Sequence, residues 1–316
     1  MSERGAERLS DRAVQGMFYE AMEHGPMSWV NDLSFHVMSD QESEDYTWLG
    51  MTPRMREWVG GRQTRELRSQ IFTIRNVEYE ATLTIKDKHL RRDKTGQLQV
   101  RIGEFADTAL DHDAELLTTL IEGGAAAICY DGQYFFDTDH SEGDSGTQDN
   151  DLTATAATGT TPTPAELEGA VMTSIQQMFG YKDDQGRPIN QTARDFDIMV
   201  PVGMWQTAMS ALNSEIILEG GQARNNLVKV ARSVINGFGI NLVVNPRLTN
   251  SAVFYTFRKD ARTAPFIRQE EVPVQTSMLG ITSDHFFKHR EVQLGLYASK
   301  AMGYGMWQQA VRMQFT

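Results

Sequence analysis

The chain has 316 residues, 40% of them hydrophobic and 23% charged, which suits a folded protein of one large or two modest domains with a sizeable core. Its formal charge of −12 argues against a general nucleic-acid binder, which needs a basic footprint. No apolar run reaches the ~18 residues that span a bilayer, and a single cysteine, Cys129, excludes an internal disulfide framework.

The N-terminal stretch "MSERGAERLSDRAVQGMFYEAMEHG" is charged and amphipathic and has no signal-peptide apolar core. With one cysteine, the expectation is a cytoplasmic chain, or at least one made and folded in a reducing compartment. Leu9, Val14, Met17, Phe18 and Met22 recur at helical spacing, which predicts a helix over residues 6–24. Residues 25–50 are mixed and read as an irregular arm. In "NVEYEATLTIK" the apolar Val77, Tyr79, Ala81, Leu83 and Ile85 alternate with polar residues, the period of a strand with one apolar face. Before it lies "REWVGGRQTRELRSQIFTI", broken at Gly60-Gly61, so residues 51–95 read as a long hairpin with an arginine-rich connection. An isolated hairpin is marginal in water, so this one is expected to rest on something else, such as a neighbouring chain.

Between Arg54 and Lys94 there are eleven Lys or Arg against six Asp or Glu, while "SDQESED" and Asp137–Asp151 are acidic. A solvated charged face explains most such runs, but this pattern also makes a chain complementary to copies of itself. From Leu98, apolar residues at Ile102, Phe105, Ala106, Ala109, Leu110, Leu116, Leu117, Leu120 and Ile121 predict a long helix closed by Gly123-Gly124. About 25 residues would span about 38 Å. Its polar face carries Asp107, Asp111, Asp113 and Glu115.

Residues 141–163 read as a Ser/Thr/Gly/Asp loop. "TPAE" at Thr163–Glu166 is a capping box with proline in the first turn, and the helix it opens should run to about Phe179. "YKDDQGRP" is a turn; "DFDIMV", "GINLVVNP" and "AVFYTF" are short strands, with a helix over roughly Gly203–Leu212. The C-terminal "EVQLGLYASKAMGYGMWQQAVRMQF" predicts two strands joined near Gly303–Gly305. Strands and helices without regular alternation indicate an α+β class.

Four constellations could carry chemistry. In "YDGQYFFDTDH", Asp137, Asp139 and His140 could hold a cation and serve a metal-dependent hydrolase. A calcium loop starting at Asp137 would place Glu142 where glycine is needed and Gln148 where the bidentate acid belongs, and no further zinc ligand stands at a readable spacing. The preferred reading packs Tyr134, Phe135 and Phe136 and lets the Asp and His turn the chain into a mobile loop. In "HFFKH", His285 and His289 would share a helix face, but Phe286 replaces the catalytic glutamate and the segment leads into a strand, where this spacing separates two ligands. Cys129 lies in an apolar run and reads as a small core residue. The pairs Gly60-Gly61, Gly123-Gly124 and Gly220-Gly221 complete no phosphate-binding pattern, and GxSxG is absent. Spacing alone names no catalytic, metal or cofactor residue.

Taken in order, "YTWLGMTPRMREWVGGR" at Tyr46–Arg62, "FTIRNVEYEATLTI" leading into a long helix, "YDGQYFFDTDH" and "GYGMWQQAV" resemble the major head (capsid) proteins of Mu-like phages, the gpT family, over roughly residues 10–316. Each motif is modest alone; their order and spacing are specific. The resemblance implies the Hong Kong 97-type (HK-97-like) capsid fold. Residues 1–50 would be the N-terminal arm, 51–95 the extended hairpin or E-loop, and 96–163 the peripheral domain with its spine helix. Residues 164–260 would be the axial domain, and 261–316 strands returning to the peripheral domain.

The function implied is structural, without enzymatic activity or cofactor: self-assembly, as hexamers and pentamers, into the icosahedral virion shell around packaged double-stranded DNA. No sequence-specific DNA binding and no membrane are implied. Implied partners are a scaffold and maturation protease, a portal, and decoration or minor capsid proteins. On this reading Arg54, Arg56, Arg62, Arg65, Arg68 and Arg75 would meet the acidic arm or spine helix of an adjacent subunit. The alternatives are an encapsulin-type nanocompartment shell, a tail or baseplate component, or the hydrolase above.

Overall fold

The computed structural model of the chain describes residues 11–23, 25, 27–46, 72–92 and 96–316. Helix α1 (Asp11–Met22) matches the expected amphipathic spacing and buries Val14 and Phe18. The segment read as an irregular arm is more ordered than its composition suggests. It forms helix α2 (Ser28–Leu33), strand β1 (Ser34–Met38) and strand β2 (Ser43–Tyr46). Trp29, Val30 and Leu33 are buried, and this apolar run holds the segment against the main core.

Strand β3 (Phe72–Arg75) pairs antiparallel with β2, Tyr46 opposite Phe72 and Ser43 opposite Arg75. The excursion between residues 46 and 72 is therefore rooted on β2, earlier in the chain than the expected hairpin start at 51. Residues 51–71 and 93–95 of that hairpin lie outside the described residues. The alternating strand β4 (Val77–Lys86) does not pair with the hairpin. It pairs with the much later β12 (Glu291–Tyr304), from Val77 opposite Lys300 to Lys86 opposite Glu291. Period-2 patterning marks a strand and its buried face but not its partner.

After the short helix α3 (Asp87–Arg92) comes α4 (Gln97–Gly123), 27 residues or about 40 Å long. Its first half buries Leu98, Ile102 and Ala106 with α1, β4, β12 and Phe286 in a small core. Its second half buries Ala114, Leu117 and Ile121 in the main core. One helix thus connects both apolar clusters.

The second half of the fold is a five-stranded sheet ordered β5-β13-β10-β6-β9. Its strands are β5 (Asp151–Ala154), β6 (Asp195–Val200), β9 (Gly239–Val244), β10 (Val253–Arg258) and β13 (Ala310–Phe315). Helix α5 (Pro164–Gly180) begins at the predicted capping box: Thr163 Oγ1 accepts from the Glu166 backbone N–H at 3.3 Å and the Glu166 carboxylate accepts from Thr163 N–H at 2.7 Å. Helix α6 (Trp205–Asn213), the hairpin β7–β8 (Ile216–Glu219 and Gln222–Asn225) and helix α7 (Leu227–Val234) follow. Gly220 and Gly221 make the two-residue hairpin turn at φ +56° and +79°, a conformation that favours glycine.

The other sheet is ordered β1-β11-β12-β4. Its strand β11 (Phe266–Leu279) has 14 residues and was not legible from periodicity. Glu270, Glu271 and Pro273 interrupt the pattern, and the register with β12 shifts twice between Glu270 and Gln275. Helix α8 (Asp284–His289) fills the connection between β11 and β12. The two predicted C-terminal strands do not share a sheet: the chain leaves β12 at Tyr304 and enters the five-stranded sheet as β13.

Where β12 passes over β3, a Cβ on Gly303 would meet the Ile74 side chain, overlapping Cδ1 and lying 2.7 Å from Cγ1, so Ile74 would have to shift. Gly303→Ala should cost about 1–3 kcal/mol, read as a lower urea midpoint with unchanged slope; an unchanged midpoint would show that Ile74 yields freely.

Candidate functional site

The run "YDGQYFFDTDH" follows α4 and ends at a buried polar knot. Phe135 and Phe136 are 0% and 1% exposed and meet edge-to-face at 4.9 Å, and Phe135 stacks on Tyr304 at 4.8 Å. Tyr134, expected to pack with them, is 45% exposed. It lies in a tight turn, where Asp137 Oδ2 accepts from Tyr134 N–H at 3.1 Å. Asp137 Oδ1 also accepts from Thr138 N–H, and Asp139 Oδ1 accepts from Gln133 Nε2 at 3.0 Å. Both aspartates therefore serve the local backbone and a neighbouring amide. They do not converge with His140 on a common point.

His140 is fully buried, with its ring stacked on Trp307 at 3.9 Å and 8°. Its Nδ1 lies 2.6 Å from Asp131 Oδ2, and its Nε2 lies 3.2 Å from Asn150 Oδ1. The Asn150 amide cannot be turned around. Its Nδ2 donates to the carbonyls of Phe135 at 2.8 Å and Ala310 at 3.3 Å, and its Oδ1 accepts from Asp137 N–H at 2.8 Å. Both nitrogens of His140 thus face oxygens, and Nε2 is a donor. Burial pushes the Asp131 carboxyl up, but hydrogen bonds from His140 and Cys129, with the attraction of His140, outweigh it and hold the group below its usual range.

The loop beyond, expected to be mobile, is tied down instead. Gln148 N–H donates to His140 O at 2.8 Å, Asp144 N–H to Asp184 O at 2.9 Å, and Lys182 N–H to Gln148 Oε1 at 2.6 Å. Ser145 and Gln148, polar but buried, bond backbone groups inside the protein, which composition cannot distinguish from contact with water.

Among the described residues, one group of three metal-ligand side chains comes together: Cys129 Sγ, Asp131 and His140, all within 4.8 Å. They are already each other's partners: the thiol donates to Asp131 Oδ1 at 3.0 Å. Burial, followed by the Asp131 charge and hydrogen bond, pushes the Cys129 thiol far up, the opposite of an activated or metal-ready thiolate. As expected, Cys129 is a buried core residue. His285 and His289, expected to lead into a strand too far apart to cooperate, stand instead on one face of α8 with ring centroids 4.7 Å apart.

The acidic face of α4 is partly spent inside the chain. Asp113 pairs with Lys300 of β12 and with Arg268 of β11 at 3.6 Å, and Asp111 with Arg247 at 3.2 Å. Of the six arginines expected at a subunit contact, Arg75 pairs with Glu42 at 2.6 Å on the exposed root of the excursion. Arg54, Arg56, Arg62, Arg65 and Arg68 lie outside the described residues.

The arrangement of arm, long helix and two sheets matches solved capsids. The chain superposes on the procapsid subunit of bacteriophage JBD30 with a TM-score of 0.57 at 20% identity, covering 95% of this chain and 72% of that one. The cyanophage P-SCSP1u capsid gives 0.56 at 12% identity, covering 92% and 89%. The fold is the HK-97-like phage capsid fold, in the α+β class. The chain belongs to the Mu-like prophage major head subunit gpT family, whose model matches residues 9–167. It is 32% identical over 123 residues to the major capsid protein of Escherichia phage Mu, and it spans about two fifths of the length of the curated relatives it matches. The family is one of structural subunits, not enzymes, in keeping with a knot whose groups hold one another.

His140→Ala leaves Asp131 buried without its partner and should destabilise the chain by about 3–5 kcal/mol in urea unfolding, whereas Cys129→Ala should cost far less. The lowered Asp131 carboxyl adds a pH signature. Its stabilising contribution is complete above the ordinary carboxylate value of ~4 and disappears as the pH falls through the lower folded value. Asp131→Asn should remove that acid-side loss; a stability profile below pH ~4 identical to the wild type would contradict the pairing.

Proposed function

We propose that many copies of this chain assemble, as hexamers and pentamers, into the closed icosahedral head of a Mu-like tailed phage and reside in the virion around packaged double-stranded DNA. Membership of the major head subunit family carries this reading. The surface supports it. Trp205 on α6, Leu218 on β7, Val234 on α7 and Phe287 on α8 are 48%, 71%, 75% and 81% exposed. Large apolar groups of this kind are more at home in contacts between copies than in water.

The arginine-rich excursion is the proposed link between neighbours. Residues 47–71 leave and re-enter at the β2–β3 root, and Arg54, Arg56, Arg62, Arg65 and Arg68 give the segment its positive charge. Since Asp111 and Asp113 are engaged at home, the acidic groups proposed to receive them include the exposed Glu78 and Glu80 of β4 and Asp107 of α4. Each exposed pair contributes only ~0–1 kcal/mol, so register would come from repetition around the shell. The net acidity suits a shell that must not grip the DNA it encloses. A scaffold and maturation protease during assembly, a portal and outer decoration proteins complete the proposed set of partners, with synthesis in the host cytoplasm.

Reversing Arg62, Arg65 and Arg68 to Glu should leave the far-UV circular dichroism of the subunit unchanged and abolish closed shells in electron micrographs. Normal shells from this variant would remove the arginines from the contact.

A further inference from the structure

We propose that His285 and His289 on α8 form a bidentate site for a divalent first-row transition ion of the zinc, nickel or copper type. The two residues are four apart on a helical turn, so their side chains lie one above the other. Their ring centroids are 4.7 Å apart with an interplanar angle of 36°. Two imidazoles at this separation can bind one ion with little movement. They could not on the extended chain that the sequence suggests.

A second observation points to a ligand. His285 Nε2 is buried and has no hydrogen-bond partner, the one imidazole nitrogen in that condition among the described residues. An orphaned buried nitrogen is costly, and a coordinated ion would satisfy it. His289 is exposed, which leaves a route for the ion.

The turn is well held. Ser283 caps it by accepting from Phe286 N–H at 3.2 Å, and Arg290 closes it in the left-handed conformation at φ 57°. Phe286 anchors it in the smaller core. The nearby cations are occupied: Lys288 pairs with Asp284 at 2.8 Å, and the Arg290 guanidinium lies over the Phe286 ring at 5.5 Å.

Two neutral imidazoles select borderline, nitrogen-preferring ions over magnesium or calcium, which take oxygen ligands. Copper should bind more tightly than nickel or zinc. The remaining coordination positions are open to water or to a donor from another molecule. Because only neutral imidazole binds, acid should release the ion.

The test is calorimetric titration of the untagged full-length chain with Cu²⁺, Ni²⁺ and Zn²⁺, with electron paramagnetic resonance of the copper-loaded form. One ion per chain is expected, with copper tightest and a copper spectrum showing two coordinating nitrogens. His289→Ala and His285→Ala should each weaken binding by at least the ~10-fold that loss of a merely supporting residue costs. His36→Ala and His89→Ala should leave it unchanged. His289 is exposed, so its variant folds and keeps the test valid should His285→Ala unfold. Absence of stoichiometric binding at millimolar ion, or binding unaffected by His289→Ala, would overturn the proposal.

Discussion

The fold depends on one buried amide. Asn150 reaches the backbone at Phe135, Asp137 and Ala310 and the ring of His140. These groups come from the turn after α4 and from the start of β13. Asn150 thereby joins the segment that leaves the long helix to β13, an interior strand of the five-stranded sheet. Asp131 and the Trp307 stack complete the joint. Charged and polar groups this deep are costly unless hydrogen-bonded, and these bonds hold Asp131, His140 and Asn150 in one arrangement. A subunit repeated around a shell needs such a fixed geometry.

The long helix plays the complementary role on the outside of that joint. Its two halves enter different apolar clusters, and Asp113 binds Lys300 and Arg268 from the two longest strands. Helix, four-stranded sheet and five-stranded sheet are thus coupled by packing and by an ion-pair cluster. Among the described residues, exposed apolar groups stand on α6, β7, α7 and α8, and also at Met38, Val100 and Ile128.

Elements that obey local rules were legible from local signals. Strict alternation marked β4, helical spacing marked α4, and Thr163 with Glu166 marked the start of α5. These signals are carried by neighbours in the chain. Pairing was not legible, because β4 meets a strand more than 200 residues away. Strand β11 was invisible since Pro273 and paired glutamates break its period at a bulge. The start of the expected 141–163 loop is polar in composition, yet Gln148 and Asn150 are buried, through partners at Lys182 and Ala310. The resemblance to Mu-like head proteins succeeded where single motifs failed, because it used the order of several weak motifs at once.

The central claim is that this chain is a shell subunit. Electron microscopy of the wild-type protein, purified alone and co-produced with a scaffold, tests it most directly. Closed particles whose walls resolve into pentamers and hexamers are expected. Rings, open tubes, or a small soluble species that persists even with the scaffold would contradict it.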